Sequence, residues 1–260
     1  MEVVVLDDAV QRAELVVAVI TDLLRRTADP VLGLATGSSP LSVYDALAAA
    51  HARGEVSLQR ASAFLLDEYL GLPPGHPQSY REVIGRELVS RVDLDPARVH
   101  GPDGHATDVA GACVAYEQAI AAAGGIDVQL LGIGRDGHLA FNEPGSSLAS
   151  RTRVKTLTAQ TRADNARFFG SVGDVPRHVI TQGLGTILQA RHLVLLAEGA
   201  AKAGAVAACV EGPVTASWPA SVLQLHPHVT VLLDGAAAGR LQRLDYYREV
   251  WAGKPAWQRL

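Results

Sequence analysis

Asp136, His138 and Glu143 share one short stretch, LLGIGRDGHLAFNEPGSS at 130–147, in a chain otherwise sparing with charge. In extended backbone, residues 136 and 138 project to the same side, so the Asp136 carboxylate can orient the imidazole of His138. Glu143, fixed by Pro144, can turn back onto the same ring. A histidine flanked by carboxylates can shuttle protons near neutral pH. The stretch offers no second histidine and no HExxH pattern, so metal binding has little support. The GxSxG arrangement of an activated serine is absent too.

Four further groups of residues could take part. Asp67 closes the apolar run SAFLL at 62–66 and is followed by Glu68 and Tyr69. A carboxylate at the rim of an apolar strand can have a raised pKa and act as a general base, or it can cap a helix or join a salt bridge. Thr36, Gly37, Ser38 and Ser39 precede Pro40 and a helical pattern. Their N–H groups and hydroxyls suit an anion cradle, and Ser39 before a proline also suits a plain helix cap. This is neither a GxxxxGK loop nor a GxGxxG fingerprint. Lys202 falls near a predicted helix start, where the macrodipole opposes it by about 0.3–1 kcal/mol unless an anion offsets the charge. Finally, Arg151, Arg153, Lys155, Arg162 and Arg167 crowd into RTRVKTLTAQTRADNAR, with only Asp164 against them in that run. Such a run is either a solvated face or an anion-recognition surface.

These residues need a frame. Short apolar runs at 3–6, 31–35, 62–66, 128–133, 192–197 and 229–233 alternate with amphipathic segments at 9–26, 40–53, 78–91, 107–123, 199–210 and 235–251. The alternation predicts an α/β fold: one doubly wound, mostly parallel sheet with helices on both faces, Rossmann-like but without a dinucleotide fingerprint. No linker, repeat or low-complexity tract divides the chain, so 1–260 reads as a single domain, with 68–80 as a structured excursion. In such sheets ligands bind beyond the carboxyl ends of the strands, where TGSSP, DEY, GRDGH and EGAAK all fall.

Composition excludes several classes. A net charge of −4 and a pI of about 6.1 give no basic field for nucleic acid or anionic membrane. No apolar run approaches the ~20 residues that span a bilayer, and the start MEVVVLDDAV carries Glu2 where a signal peptide needs positive charge. Cys113 and Cys209 lie far apart in alanine-rich helical patterns and read as buried free thiols. A cytoplasmic protein is expected.

Taken in chain order, LGLATGSSPLSVYDAL, LLDEYLGL, HPQSYR, LLGIGRDGHLAFNEPGSSLASRTRVKTLT and GAAKAGAVAACVEG resemble the glucosamine-6-phosphate deaminase family over nearly the whole chain. DGH followed by FNEP is the most specific element. The resemblance implies conversion of glucosamine 6-phosphate to fructose 6-phosphate and ammonia, without metal or organic cofactor. It implies Asp67 as the carboxylate that moves the C2 proton and His138 as the group that assists ring opening, with Asp136 and Glu143 as acid partners. Thr36, Gly37, Ser38, Ser39, Arg167 and Lys202 match phosphate-binding positions. Regulated members bind N-acetylglucosamine 6-phosphate between subunits; Ser146, Ser147, Arg153, Lys155 and Thr156 match that effector site, as does Tyr246 in a looser alignment. A homo-oligomer is implied, often a hexamer in regulated bacterial members, although monomeric members exist. Three positions depart from the family pattern: Ala35 where some members have proline, Ser38 for a glycine, and Arg135 where asparagine is frequent.

Two rivals remain. A 6-phosphogluconolactonase shares a glycine loop and a DGH-like segment, but AFNEP and the LDEY aspartate speak against it. A sugar-phosphate-sensing domain of a transcription regulator would bind without turnover, and it has no use for a full acid/base set.

Overall fold

The runs at 31–34, 128–131, 192–197 and 229–233 are buried along their whole length. Strands covered on both faces require that pattern. The computed structural model describes residues 1–255, 257, 258 and 260. In chain order the elements are β1 (Glu2–Val5), α1 (Ala9–Arg26), β2 (Val31–Leu34), α2 (Leu41–Ala52), β3 (Ser62–Leu65), β4 (Asp67–Tyr69), α3 (Tyr80–Glu87), β5 (Val99–His100), α4 (Val109–Ala122), β6 (Val128–Leu131), β7 (Arg153–Thr156), α5 (Ala159–Asn165), β8 (His178–Thr181), α6 (Leu184–Ile187), β9 (His192–Ala197), α7 (Ala203–Val210), β10 (Val229–Leu233) and α8 (Leu244–Ala252).

Seven strands form one sheet in the order β1-β10-β9-β6-β2-β3-β5, and every pairing in it is parallel. From β2 the chain moves outward to β3 and β5, then returns to the other side of β2 and runs through β6, β9 and β10. The connections therefore diverge between β2 and β6, and a crevice opens at their carboxyl ends. Across this pair Gly33 faces Gln129, which is wholly buried. A Cβ on Gly33 would stand 2.0 Å from the Gln129 Oε1, so only glycine fits opposite that amide.

Helices begin where side chains satisfy their free N–H groups. Asp8 caps α1, Ser79 caps α3, Asp108 caps α4 and Thr158 caps α5. One face of α1 buries Ala13, Val16 and Ile20. No described helix is long and apolar enough to cross a membrane. Both cysteines are free and buried, as expected.

The structure adds what the apolar runs did not announce. A second, antiparallel sheet, β4-β8-β7, branches from the carboxyl end of β3 after the single residue Leu66. The short strand β5 was not expected either. The helix expected at 235–251 is only α8, because residues 235–240 form turns pinned where the Gly235 N–H donates to Asp7. The helix expected from 199 starts as a 3-10 turn at Ala200–Lys202 before α7.

Candidate active site

The loop after β2 holds Thr36, Gly37, Ser38 and Ser39. Gly37 and Ser38 are exposed, and Gly37 has φ +105°. The cap expected at Ser39 is displaced by one residue: Pro40 occupies the cap position, and no side chain caps α2. Among the described residues nothing accepts from the backbone N–H groups of residues 36–39. Unpaired N–H groups ahead of a helix suit an anion.

Lys202 reaches the neighbouring loop from its 3-10 turn, where Nζ donates to the Ile133 carbonyl at 2.6 Å. Burial lowers its pKa, and so do the positive charges of Arg135 and Arg167, against Asp164 and Asp136. Arg167 is exposed, and its guanidinium lies 4.7 Å from the centre of the Phe168 ring. These residues from three separate loops thus share one electrostatic neighbourhood.

The loop after β6 carries the imidazole. Residues 135–137 turn, with Gly137 at φ +80°, so the extended backbone expected there is replaced by a turn. The turn still brings the pair together. His138 Nδ1 lies 2.7 Å from Asp136 Oδ1, and the His138 backbone N–H donates to the same oxygen at 3.2 Å. Nδ1 makes no hydrogen bond of regular geometry among the described residues, and the backbone N–H bond holds Asp136 beside the ring. Burial raises the Asp136 pKa, but the bonds and charge of His138 outweigh it and hold the carboxylate below its ordinary value. Gly134 makes room for the imidazole, since a Cβ there would stand 2.3 Å from its Cε1. Beyond His138 the chain turns tightly again, with Leu139 bridging Asn142 and Ala140 at φ +50°.

Glu143 does not reach back to His138. It is buried and accepts from Thr158 Oγ1 at 3.4 Å and, closer still, from Thr161 Oγ1. The expected two-sided carboxylate clamp on His138 is therefore one-sided, and Glu143 ties the loop to the start of α5 instead. Sequence reading missed Thr158 and Thr161 in this role, because only the fold brings α5 alongside.

Asp67 opens β4, opposite Thr181 of β8, and is buried. Among the described residues no hydrogen bond reaches its carboxylate, and burial, reinforced by the negative charge of Glu68, pushes its pKa well above the usual carboxylate range. Glu68 points to the other side of the strand. It accepts from the N–H groups of Tyr69, Tyr80 and Arg81 at 2.8–3.0 Å and so anchors the start of α3. Tyr69, on the side of Asp67, meets Tyr80 at 3.3 Å and Asn165 at 3.1 Å through its hydroxyl. Those three polar neighbours were not singled out, although Tyr69 stands in the DEY triplet.

The effector-matched positions scatter. Ser146 is buried with an unpaired Oγ, and Ser147 Oγ accepts from the Ala149 N–H. Arg153 and Lys155 lie half-buried on β7, while Thr156 is exposed and meets His178 at 3.3 Å. Arg153 donates to Asn142 Oδ1 at 2.9 Å, which links β7 to the His138 loop. Tyr246 is 59% exposed on α8, which packs beside β1 at the far edge of the large sheet. One chain does not bring Tyr246 to the β7 residues. Nor is the cationic run unopposed: Arg151 pairs with Glu117 of α4, and Arg162 is occupied by the carbonyls of Val172 and Val175. Among the described residues no three His, Cys, Asp or Glu side chains gather as a metal-ligand set.

The arrangement can hold an anion at one end, abstract a proton at Asp67 and move a second proton at His138. The family described as glucosamine-6-phosphate isomerases/6-phosphogluconolactonase matches residues 7–232. The glucosamine-6-phosphate deaminase of Beutenbergia cavernae is 64% identical, with 100% of each chain covered. That of Mycolicibacterium smegmatis is 61% identical over 99% of each. Among solved structures, a monomeric glucosamine-6-phosphate deaminase superposes with a TM-score of 0.90 at 40% identity, covering 92% of this chain and 100% of that one. The 6-phosphogluconolactonase of Trypanosoma cruzi shares the fold alone, with a TM-score of 0.74 at 22% identity over 93% of this chain and 97% of that one.

Proposed function

The chain belongs to the family of glucosamine-6-phosphate isomerases and 6-phosphogluconolactonases, and from that premise we propose that it is a glucosamine-6-phosphate deaminase. One observation carries the choice within the family: a buried Asp67 carboxylate with no hydrogen-bond partner among the described residues, on β4, apart from a separately oriented His138–Asp136 pair in the loop after β6. Isomerisation before deamination needs two such groups, one at C2 and one at the ring oxygens. The reading also rests on full-length relatives at 57–64% identity that bear this name.

In this reading Thr36, Gly37, Ser38, Ser39, Arg167 and Lys202 hold the phosphate and fix the sugar against the acid and base. His138, oriented by Asp136, moves the proton that opens the pyranose. Asp67 takes the proton from C2 and delivers it to C1, which turns the aldose amine into a ketose imine. Water adds at C2, the C–N bond breaks, and ammonia leaves with fructose 6-phosphate. Burial, with the negative charge of Glu68, raises the proton affinity of Asp67 in the free enzyme. A substrate ammonium beside it favours the carboxylate and readies the base. Glu143 acts through the loop it ties to Thr158 and Thr161.

We further propose one domain over 1–260, a cytoplasmic setting in amino-sugar catabolism, and activation by N-acetylglucosamine 6-phosphate at Ser146, Ser147, Arg153, Lys155 and Thr156. If Tyr246 shares that site it comes from a second copy in a homo-oligomer. The effector reading fails if that sugar phosphate leaves the saturation curve unchanged at every substrate level. The activity itself is tested by mixing protein with glucosamine 6-phosphate and measuring both products. Equimolar ammonia and fructose 6-phosphate support the deaminase; hydrolysis of 6-phosphogluconolactone with neither product would replace it.

A further inference from the structure

We propose that Arg135 is a third cationic ligand for the substrate phosphate, beside Lys202 and Arg167, and that it strengthens the preference for doubly charged phosphate esters. The inference rests on the phosphate reading of the site given above and extends it to a residue outside it.

Topology supplies the placement. Strand β6 lies between β9 and β2, so the loop carrying Arg135 emerges between the Thr36–Ser39 loop and the turn carrying Lys202. Lys202 Nζ is fixed on the carbonyl of Ile133, two residues before Arg135. Arg135 is exposed and, among the described residues, has no hydrogen bond or ion pair. Its neighbour Asp136 is turned toward His138 and does not neutralise it.

Charge supplies the reason. The charges of Arg135 and Arg167 act on Lys202 from one side of the balance and those of Asp164 and Asp136 from the other. In a protein of net charge −4, Arg135 and Arg167, from two other loops, lie near enough to Lys202 to lower its proton affinity. Like charges brought together oppose one another unless a ligand of higher opposite charge offsets them. A phosphate ester carries close to two negative charges at neutral pH. An arginine on the loop between the Thr36–Ser39 loop and the Lys202 turn offers such an anion a fork of N–H donors.

The test uses the full chain and two probes, inorganic phosphate by calorimetry and glucosamine 6-phosphate by steady-state kinetics, on Arg135→Asn and Arg135→Lys. Arg135→Asn should raise the phosphate Kd and the substrate KM by a similar factor, roughly three- to tenfold, the smaller end reflecting solvent exposure. Arg135→Lys should recover part of the loss. The salt dependence of phosphate binding should become shallower in the asparagine variant. An unchanged phosphate Kd in a folded Arg135→Asn protein overturns the proposal. So does a shifted pH profile of kcat with phosphate binding intact, which would assign Arg135 to the Asp136–His138 pair. Because the calorimetry needs no turnover, a phosphate Kd weakened by Arg135→Asn when even the unsubstituted chain releases no ammonia would sink the deaminase reading and leave this one standing.

Discussion

The two ends of the parallel sheet both bury titratable groups, and they treat them differently. At the amino end, Asp127 accepts from the Val31 N–H at 2.8 Å and from Arg191 at 2.7 Å. His226 Nε2 donates to the Ala190 carbonyl at 2.7 Å while its Nδ1 accepts from the His228 N–H at 3.1 Å, and His192 meets Thr230 at 2.9 Å while stacking on His228 with centroids 3.6 Å apart. At the carboxyl end, among the described residues, the Asp67 carboxylate has no hydrogen-bond partner, His138 Nδ1 makes no hydrogen bond of regular geometry, and the N–H groups of residues 36–39 are unpaired. A satisfied buried group holds structure, whereas an unsatisfied one weakens the fold and is available to a ligand. The contrast separates residues that stabilise this protein from those proposed to do its chemistry.

The sharpest way to break the contrast is Asp67→Asn. Loss of a general base should lower kcat by about 10²–10⁴-fold. The same change should raise Tm, because it removes a carboxylate that burial opposes. The sign follows from its raised folded-state pKa: the penalty grows as pH rises from the ordinary 3.8 to the raised value, so the gain in Tm should be larger at pH 7 than at pH 4. A loss of Tm at pH 7 would place Asp67 among the structural groups. Next, Lys202→Ala should raise both KM and the phosphate Kd by about ten- to hundredfold, the scale of one charged hydrogen bond; calorimetry with inorganic phosphate checks this without turnover.

The amino end should answer in the opposite sense. Asp127→Asn should cost about 1–3 kcal/mol in a denaturation experiment, leaving an unpaired buried group, while turnover per folded molecule persists. The smallest effect concerns His192, whose pKa burial lowers to about 3, with the nearby His228 and His226 adding to the shift. Its stabilising contribution is complete above the ordinary value of 6.5 and is lost as pH falls from there toward 3. His192→Gln should flatten the pH dependence of Tm across that window. An unchanged slope would mean that other groups govern acid sensitivity.

The large sheet was legible because its central strands are continuous apolar runs. The small sheet was not, and β7 shows why. Arg153 and Lys155 lie on its half-buried side while Val154 is 41% exposed, so the usual apolar-in pattern is inverted and the strand read as a cationic run. Asp136 and His138 were legible as a pair because their partnership is local, even though a turn replaces the expected strand. The fate of Glu143 was not, since Thr158 and Thr161 reach it through tertiary packing. The split of the cationic run was hidden for the same reason: Glu117, which takes Arg151, lies on α4.

The pairing of Gly33 with Gln129 has a consequence for how such a chain can vary. The two positions lie on the strands that flank the crevice, and an added methyl group at one collides with the amide at the other. Neither can be exchanged freely alone: alanine at 33 demands a smaller residue at 129, whereas a smaller residue at 129 leaves a hole that only a larger residue at 33 would fill. In a combinatorial library the two codons behave as one letter. They also act as a register check, because a one-residue slip of β2 against β6 sets the bulky amide against Leu32 or Leu34, and the loops that carry the anion cradle and the proton shuttle would part company.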